Sequence, residues 1–140
     1  MDKDFFSQVD ILARTLYGEA RGEGLIGIEA VANVIMNRVA LSKQYTLWWG
    51  KSIEEVCLKP FQFSCWTPSD NNFYKLIRVS SDDDVFRMCL RVAQRAVSGT
   101  LSDITKGATH YHRKDVSPAW ARRLIPVFEY KNHLFYREIP

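Results

Sequence analysis

Three cysteines are too few, and too irregularly spaced, to frame this chain. Cys57, Cys65 and Cys89 form no C-x-x-C pair and their number is odd, so neither a disulfide scaffold nor a cysteine-only zinc site is expected. Reduced, buried thiols are expected instead. Long apolar runs are also scarce. No stretch approaches the roughly 20 residues that cross a bilayer, so no transmembrane segment is expected. The N-terminal stretch MDKDFFSQVD is acidic and poor in apolar residues, and no signal peptide is read there. There is no low-complexity tract, block of like charge, internal repeat or linker, which excludes a disordered tail.

What remains is the composition of one globular unit. The 140 residues are 46% hydrophobic and 25% charged, enough for a single domain over residues 1–140 with one core. A net charge of +3 suits a polyanionic partner, whether cell-wall polymer or nucleic acid, without choosing between them.

Apolar residues at three- and four-residue intervals predict a helix from Asp4 to Tyr17, weakened at Gly18 and Gly22. The pattern resumes from Leu25 to about Arg38, with small residues suited to close packing. A short helix is expected over Ser52–Leu58, with Ser52 as cap and Glu55 at the capping-box position, ended by Pro60. FQFSCW, residues 61–66, alternates like a brief strand before the turn-like PSDNN. Ser80 to Asp84 marks another helix start, and Gly99 its end. Beyond Gly107, GATHYH, PVFEY and HLFYREI are β-prone, with Lys131-Asn132 as a turn. The fold class expected is therefore α+β, mostly helical, with a small antiparallel sheet toward the C-terminus.

The stretch LYGEARGEG holds the sharpest chemistry. Glu19 lies near a helix end beside Leu16, Tyr17 and Ala20; partial desolvation there raises a carboxyl's pKa and keeps a proton available for general acid work. The alternative is an ordinary solvated glutamate. Glu23 shares a face with Glu19 only if the helix continues; otherwise it is a cap or a partner for Arg21. His110-x-His112 places two imidazoles on one strand face, and with Glu19 these are the residues of a conceivable zinc site. No H-E-x-x-H helix accompanies them, and no metal or other cofactor is expected. Trp48, Trp49, Trp66, Tyr111 and Trp120 are either core or platforms for sugar faces. Base stacking is the competing use, but Arg and Lys are dispersed and no nucleic-acid motif is present.

Taken in order, LARTLYGEARGEG…GIEAVANVIMNRV, FQFSCW, GATHYH…SPAW and HLFY resemble the spore-cortex-lytic cell-wall hydrolase family (SleB/CwlJ type), over about Leu12 to Tyr136. The resemblance implies a lysozyme-like or transglycosylase-like α+β domain acting on peptidoglycan glycan strands, as a monomer. It matches the family's essential glutamate to Glu19. Its groove segments fall on Phe63, Ser64 and Trp66, and on Thr109, Tyr111 and Trp120, with Tyr17 and Glu23 as further substrate-binding candidates. His133, Phe135 and Tyr136 match the closing motif, although the family often has a glycine just before that histidine, so the last turn is expected to differ. The peptidoglycan-binding repeat of spore members is not in this sequence, and a phage-type endolysin, virion-associated or prophage lysin fits equally well. Such a protein acts at the cell wall or periplasm, released by a separate pathway or carried in a particle.

The implied reaction is cleavage between N-acetylmuramic acid and N-acetylglucosamine. A lytic transglycosylase manages with one acid, here Glu19, and leaves 1,6-anhydromuramic ends. Ser64, Thr109 and Tyr111 are candidates to stabilise the oxocarbenium-like charge. The alternatives are a two-carboxylate muramidase, a zinc N-acetylmuramoyl-L-alanine amidase, and a non-catalytic peptidoglycan-binding or virion structural module.

Overall fold

Helix α1, Lys3–Ala20, is the axis of the structure, a computed structural model that describes residues 3–137. Val9, Leu12, Ala13, Leu16 and Ala20 make its buried stripe, the spacing of an amphipathic helix. It continues three residues beyond the expected end at Tyr17. Gly18 is a contact rather than a break: a Cβ there would lie 2.7 Å from Cys65 Cβ and 2.8 Å from Leu76 Cδ2. The break comes at Gly24, whose φ of +78° is accessible without strain only to glycine.

Helix α2, Gly24–Leu41, buries Ile28, Val31 and Ile35 beside the small residues Gly27, Ala30 and Ala32. By length and composition it is long and apolar enough to cross a membrane, which the run-length reading did not anticipate. Half of it is buried inside the domain, where it packs on α1 and on α5, Asp84–Val97. Helix α3, Ile53–Leu58, begins as expected: Ser52 Oγ accepts from Glu55 N at 3.1 Å, while Glu55 Oε1 accepts from Lys51 N. The start of α5 is capped by Asp83, which accepts from Phe86 N at 2.9 Å. Helix α4, Phe73–Arg78, was not expected, because six residues carry too little periodicity to stand out.

FQFSCW is not a strand. Ser64–Trp66 forms a 3-10 turn, closed by Trp66 N to Phe63 O and Thr67 N to Ser64 O. This tight path drives Phe63 and Cys65 into the core, a gain that alternation with no partner strand cannot match. Strands β1, His110–Arg113, β2, Phe128–Tyr130, and β3, His133–Tyr136, form an antiparallel sheet of order β1-β3-β2. Lys131-Asn132 is the turn between β2 and β3, with Lys131 at φ 48°. In register, Tyr111 and Phe128 both face Phe135, which is fully buried. Each fully buried large apolar chain of this kind, Leu12, Leu16 or Phe135, contributes about 1.5–3 kcal/mol relative to exposure. The molecule is thus α+β, mostly helical, with the small sheet at its C-terminal end.

Candidate active site

Glu19 sits in the last turn of α1, where the sheet and the Ser64–Trp66 turn meet the helix. The Tyr111 hydroxyl donates to its Oε1 at 2.5 Å, and the thiol and backbone N–H of Cys65 also reach the carboxyl. Burial pushes the Glu19 pKa up, the three donors pull part of the way back, and the nearby charge of Asp70 adds to the rise. The net shift is upward. A helix C-terminus disfavours an anion too. The group can therefore hold a proton, yet its carboxylate form meets donors already in place.

The neighbours are positioned by small local features. Gly18 lets Cys65 approach α1, as no side chain would. The Trp66 indole N–H donates to Thr15 Oγ1 at 2.9 Å, pinning the turn to α1 one helical turn below Glu19. Burial and the adjacent Glu19 push the Cys65 thiol far up, so it stays an S–H. Thr15 and Cys65 were not among the sequence candidates; a polar Thr on an otherwise apolar helix stripe was the available signal.

Glu23 lines the same cleft, of about 260 Å³, with Glu19, Arg21, Asn72, Arg113 and His133. It neither pairs with Arg21 nor caps α2 through its side chain. Its carboxylate accepts from Asn132 N at 3.2 Å and from Asn132 Nδ2 at 3.0 Å, and His133 Nδ1 lies 3.4 Å away. Burial holds the His133 pKa down despite Glu23. Arg21 instead donates to Asn72 Oδ1 at 2.6 Å and covers the Tyr17 ring.

Beyond Tyr111 a larger groove opens, of about 610 Å³, walled by Trp48, Trp49, Phe61, His110, Tyr111 and Trp120 with Arg38 and Gln62 in its lining. Phe61 is 96% exposed and Trp48 59%. Phe61 also borders a smaller hollow with Phe63 and Trp66. Arg38 donates through Nε to Thr109 O at 2.7 Å and lies under the rings of Trp48, Trp49 and Phe63. Burial lowers its pKa to about 10, so it remains a cation at neutral pH.

The candidates read from sequence therefore divide. Glu19, Glu23, Tyr111 and Trp120 line the cleft or the groove, and Phe63 and Trp66 its flank. Ser64 is exposed on the turn. Tyr17 turns away from Glu19, since two residues along a helix point to different faces; its hydroxyl reaches Asp83 at 3.2 Å and its ring meets Phe86. Thr109 is fully buried; its carbonyl accepts from Arg38 Nε, its N–H donates to Tyr136 O, and its hydroxyl meets His110 Nδ1 at 2.8 Å. Phe61 was passed over because Phe63 and Trp66 close by carried the recognisable pattern, and Arg38 and Gln62 because nothing in the sequence marks their unpaired atoms.

The three histidines do not converge. His110 lies between Trp49 and Trp120, and burial lowers its pKa to about 4. His112 stacks on Tyr136; its Nδ1 carries the hydrogen that meets Arg113 O at 2.7 Å, and its Nε2 pairs with the Tyr136 hydroxyl at 2.9 Å. His133 faces Glu23. Among the described residues no three His, Cys, Asp or Glu side chains gather into a metal-binding group.

The chain is 27% identical over 124 residues to the spore cortex-lytic enzyme of Halalkalibacterium halodurans, an alignment of 85% of this chain and 32% of that protein. It spans about a third of that relative's length. Its fold is similar to the catalytic domain of the Bacillus cereus SleB protein, at TM-score 0.72 and 22% identity over 94% of this chain and 91% of the other. It is equally similar to the catalytic domain of the germination-specific lytic transglycosylase SleB of Bacillus anthracis, at TM-score 0.71 and 22% identity over 98% and 97%. The family model described as Cell Wall Hydrolase matches residues 22–136, which takes in the groove and the sheet and begins three residues after Glu19. With that span covering most of the chain, the protein belongs to the cell wall hydrolase family.

Proposed function

We propose that this domain cleaves peptidoglycan glycan strands between N-acetylmuramic acid and N-acetylglucosamine as a lytic transglycosylase, with Glu19 as its general acid and then base. One observation carries the reading: the Glu19 carboxyl is buried with its pKa raised and receives an aromatic hydroxyl, whereas Glu23 is tied to Asn132 by two hydrogen bonds. Asp70, the other nearby acid, is engaged by Asn72 N at 2.8 Å.

In this mechanism a glycan strand lies along the aromatic groove with its scissile oxygen at Glu19. Trp48, Phe61 and Trp120 supply flat faces for the sugar rings. Protonated Glu19 delivers its proton to the glycosidic oxygen, the C1–O bond breaks, and an oxocarbenium-like centre forms. The resulting carboxylate is held by Tyr111 and Cys65. It then takes the proton from the muramic C6 hydroxyl as that oxygen attacks C1, closing the 1,6-anhydro ring and regenerating the acid. General acid–base assistance of this kind contributes about 10²–10⁴ in rate.

A second reading has one point in its favour: Glu23 lines the same cleft as Glu19, as a two-carboxylate muramidase requires. The product separates them. Mass spectrometry of sacculi digested with the protein, with Glu19→Gln as control, is expected to give anhydromuramic ends about 18 Da lighter than hydrated reducing ends. Hydrated ends alone would assign the muramidase. Free stem peptides without glycan cleavage would remove both.

A further inference from the structure

Among the described residues, three buried side-chain polar atoms have no hydrogen-bond partner: Arg38 Nη1, Gln62 Oε1 and His133 Nδ1. An unmet buried donor or acceptor carries a desolvation penalty, so each calls for a reason. His133 Nδ1 has the Glu23 carboxylate 3.4 Å away. The other two have no such neighbour, and both belong to residues that line the large groove.

Their hydrogen-bonding senses are opposite and fixed. A guanidinium nitrogen only donates; an amide oxygen only accepts. Gln62 cannot be turned over, because its Nε2 donates to Trp49 O at 3.2 Å and to Val56 O at 2.7 Å, two acceptors that an oxygen would oppose. Arg38, 7% exposed, is anchored through Nε to Thr109 O and flanked by three aromatic rings 5.3–5.8 Å away. No carboxylate among the described residues forms an ion pair with it.

We propose that Arg38 and Gln62 form a subsite for the 2-acetamido group of an N-acetylhexosamine. Arg38 Nη1–H donates to the acetamido carbonyl, Gln62 Oε1 accepts the acetamido N–H, and the methyl packs among the tryptophans. This rests on the glycan-strand reading above and adds which group of the sugar is read, and where. A carboxylate suits Arg38 but places an anion beside the Gln62 oxygen. A hydroxyl satisfies the polar pair but leaves the aromatic wall uncovered. A secondary amide with a methyl meets all three. Both polar atoms are shielded in the unliganded groove, and Trp48, 59% exposed with its ring 5.8 Å from the guanidinium, is the side chain that swings aside to admit the group.

The test uses the Glu19→Gln protein, so that ligand is not consumed, and two neutral probes differing only at C2: chitotetraose, with acetamido groups, and cellotetraose, with hydroxyls. Calorimetry is expected to show chitotetraose binding at least about tenfold tighter, with a change in tryptophan fluorescence. In Gln62→Leu, checked for an unchanged unfolding midpoint, chitotetraose affinity falls about tenfold toward that of cellotetraose, because the acetamido N–H is left unpaired. If Gln62→Leu does not fold, the two-probe comparison with Gln62 intact decides alone. Equal affinities, or binding of neither probe while the unmutated protein still cleaves sacculi, overturn the subsite and leave the proposed activity standing. Failure of the unmutated protein to cleave glycan strands sinks the activity itself, whichever probe binds.

Discussion

The Tyr111 hydroxyl and the Glu19 carboxyl, 92 residues apart in sequence, are joined by a hydrogen bond of 2.5 Å from strand β1 to the end of α1. Burial pushes the Tyr111 phenol well above its ordinary value, so it remains a donor throughout the working pH range. Tyr111→Phe removes that donor and keeps the ring stacked on Phe135. The Glu19 pKa then rises further, since hydrogen bonding to the anion is lost. The alkaline limb of the kcat/KM profile is expected to move to higher pH, with kcat reduced about 10- to 100-fold. A pH–rate profile on purified sacculi is the measurement; an unmoved limb counts against the role of Tyr111.

Glu19→Gln is expected to abolish lysis and to stabilise the fold. A buried acid with a raised pKa carries no penalty below its ordinary 4.5. Stability falls as pH rises from there through the raised folded value, and the deficit is constant above it. The Gln variant lacks that loss, so its advantage in denaturant midpoint should grow across this window and then level off. Glu23→Gln, by contrast, is expected to keep activity within about tenfold of the unmutated protein, because the Glu23 carboxylate is held by two hydrogen bonds from Asn132. Turbidity clearing of cell walls by the two variants side by side distinguishes these roles.

Gly18→Ala and Gly22→Ala make a matched pair. A methyl at position 18 meets Cys65 and Leu76 at 2.7–2.8 Å, whereas position 22 has nothing within 4 Å. Overpacking at Gly18 should cost about 1–3 kcal/mol and reduce activity by displacing Cys65 from Glu19. Gly22→Ala should stay within about 0.5 kcal/mol of the unmutated protein. Urea titrations with a lysis assay report both effects.

Much of this was legible in the sequence, for reasons that differ by element. The amphipathic stripes of α1, α2 and α5 are long enough to declare themselves, and the three β-prone tails paired as antiparallel strands. The tightness at Gly18 was not legible, because its cause is a segment 47 residues away; locally the glycine reads as a weak point. The alternation in FQFSCW misled for the same reason: the burial of Phe63 and Cys65 comes from packing beneath α1, not from a pleated strand. At the site, the position of Glu19 reads as well for a solvated helix end, and it was the ordered family pattern that singled it out. Arg38 and Gln62 were not singled out, since what marks them is an unpaired atom, visible only once the groove is built.

Phe61 should trade stability for binding. It holds φ 67° while 96% exposed, a left-handed conformation that costs a non-glycine residue about 1–2 kcal/mol. Phe61→Gly relieves that strain, offset by the entropy of a freer unfolded chain, so stability should be unchanged or higher by up to about 1 kcal/mol. Affinity for glycan strands should drop about tenfold with loss of the aromatic face. Thermal unfolding and sacculus pull-down measure the two; a variant both less stable and fully binding would contradict the reading of this side chain as a groove wall.

The order β1-β3-β2 has a consequence for when the two ends of the Glu19–Tyr111 hydrogen bond can meet. Strand β1 carries Tyr111, and among the described residues its partner in the sheet is β3, residues 133–136. Glu19 precedes β3 in the chain, and among the described strands the one that presents its hydroxyl donor has no partner until residues 133–136 are made. A chain interrupted before Leu134 holds an acid without its setting. The Glu19–Tyr111 contact, though local to one end of α1, therefore depends on a strand pairing made by residues far along the chain.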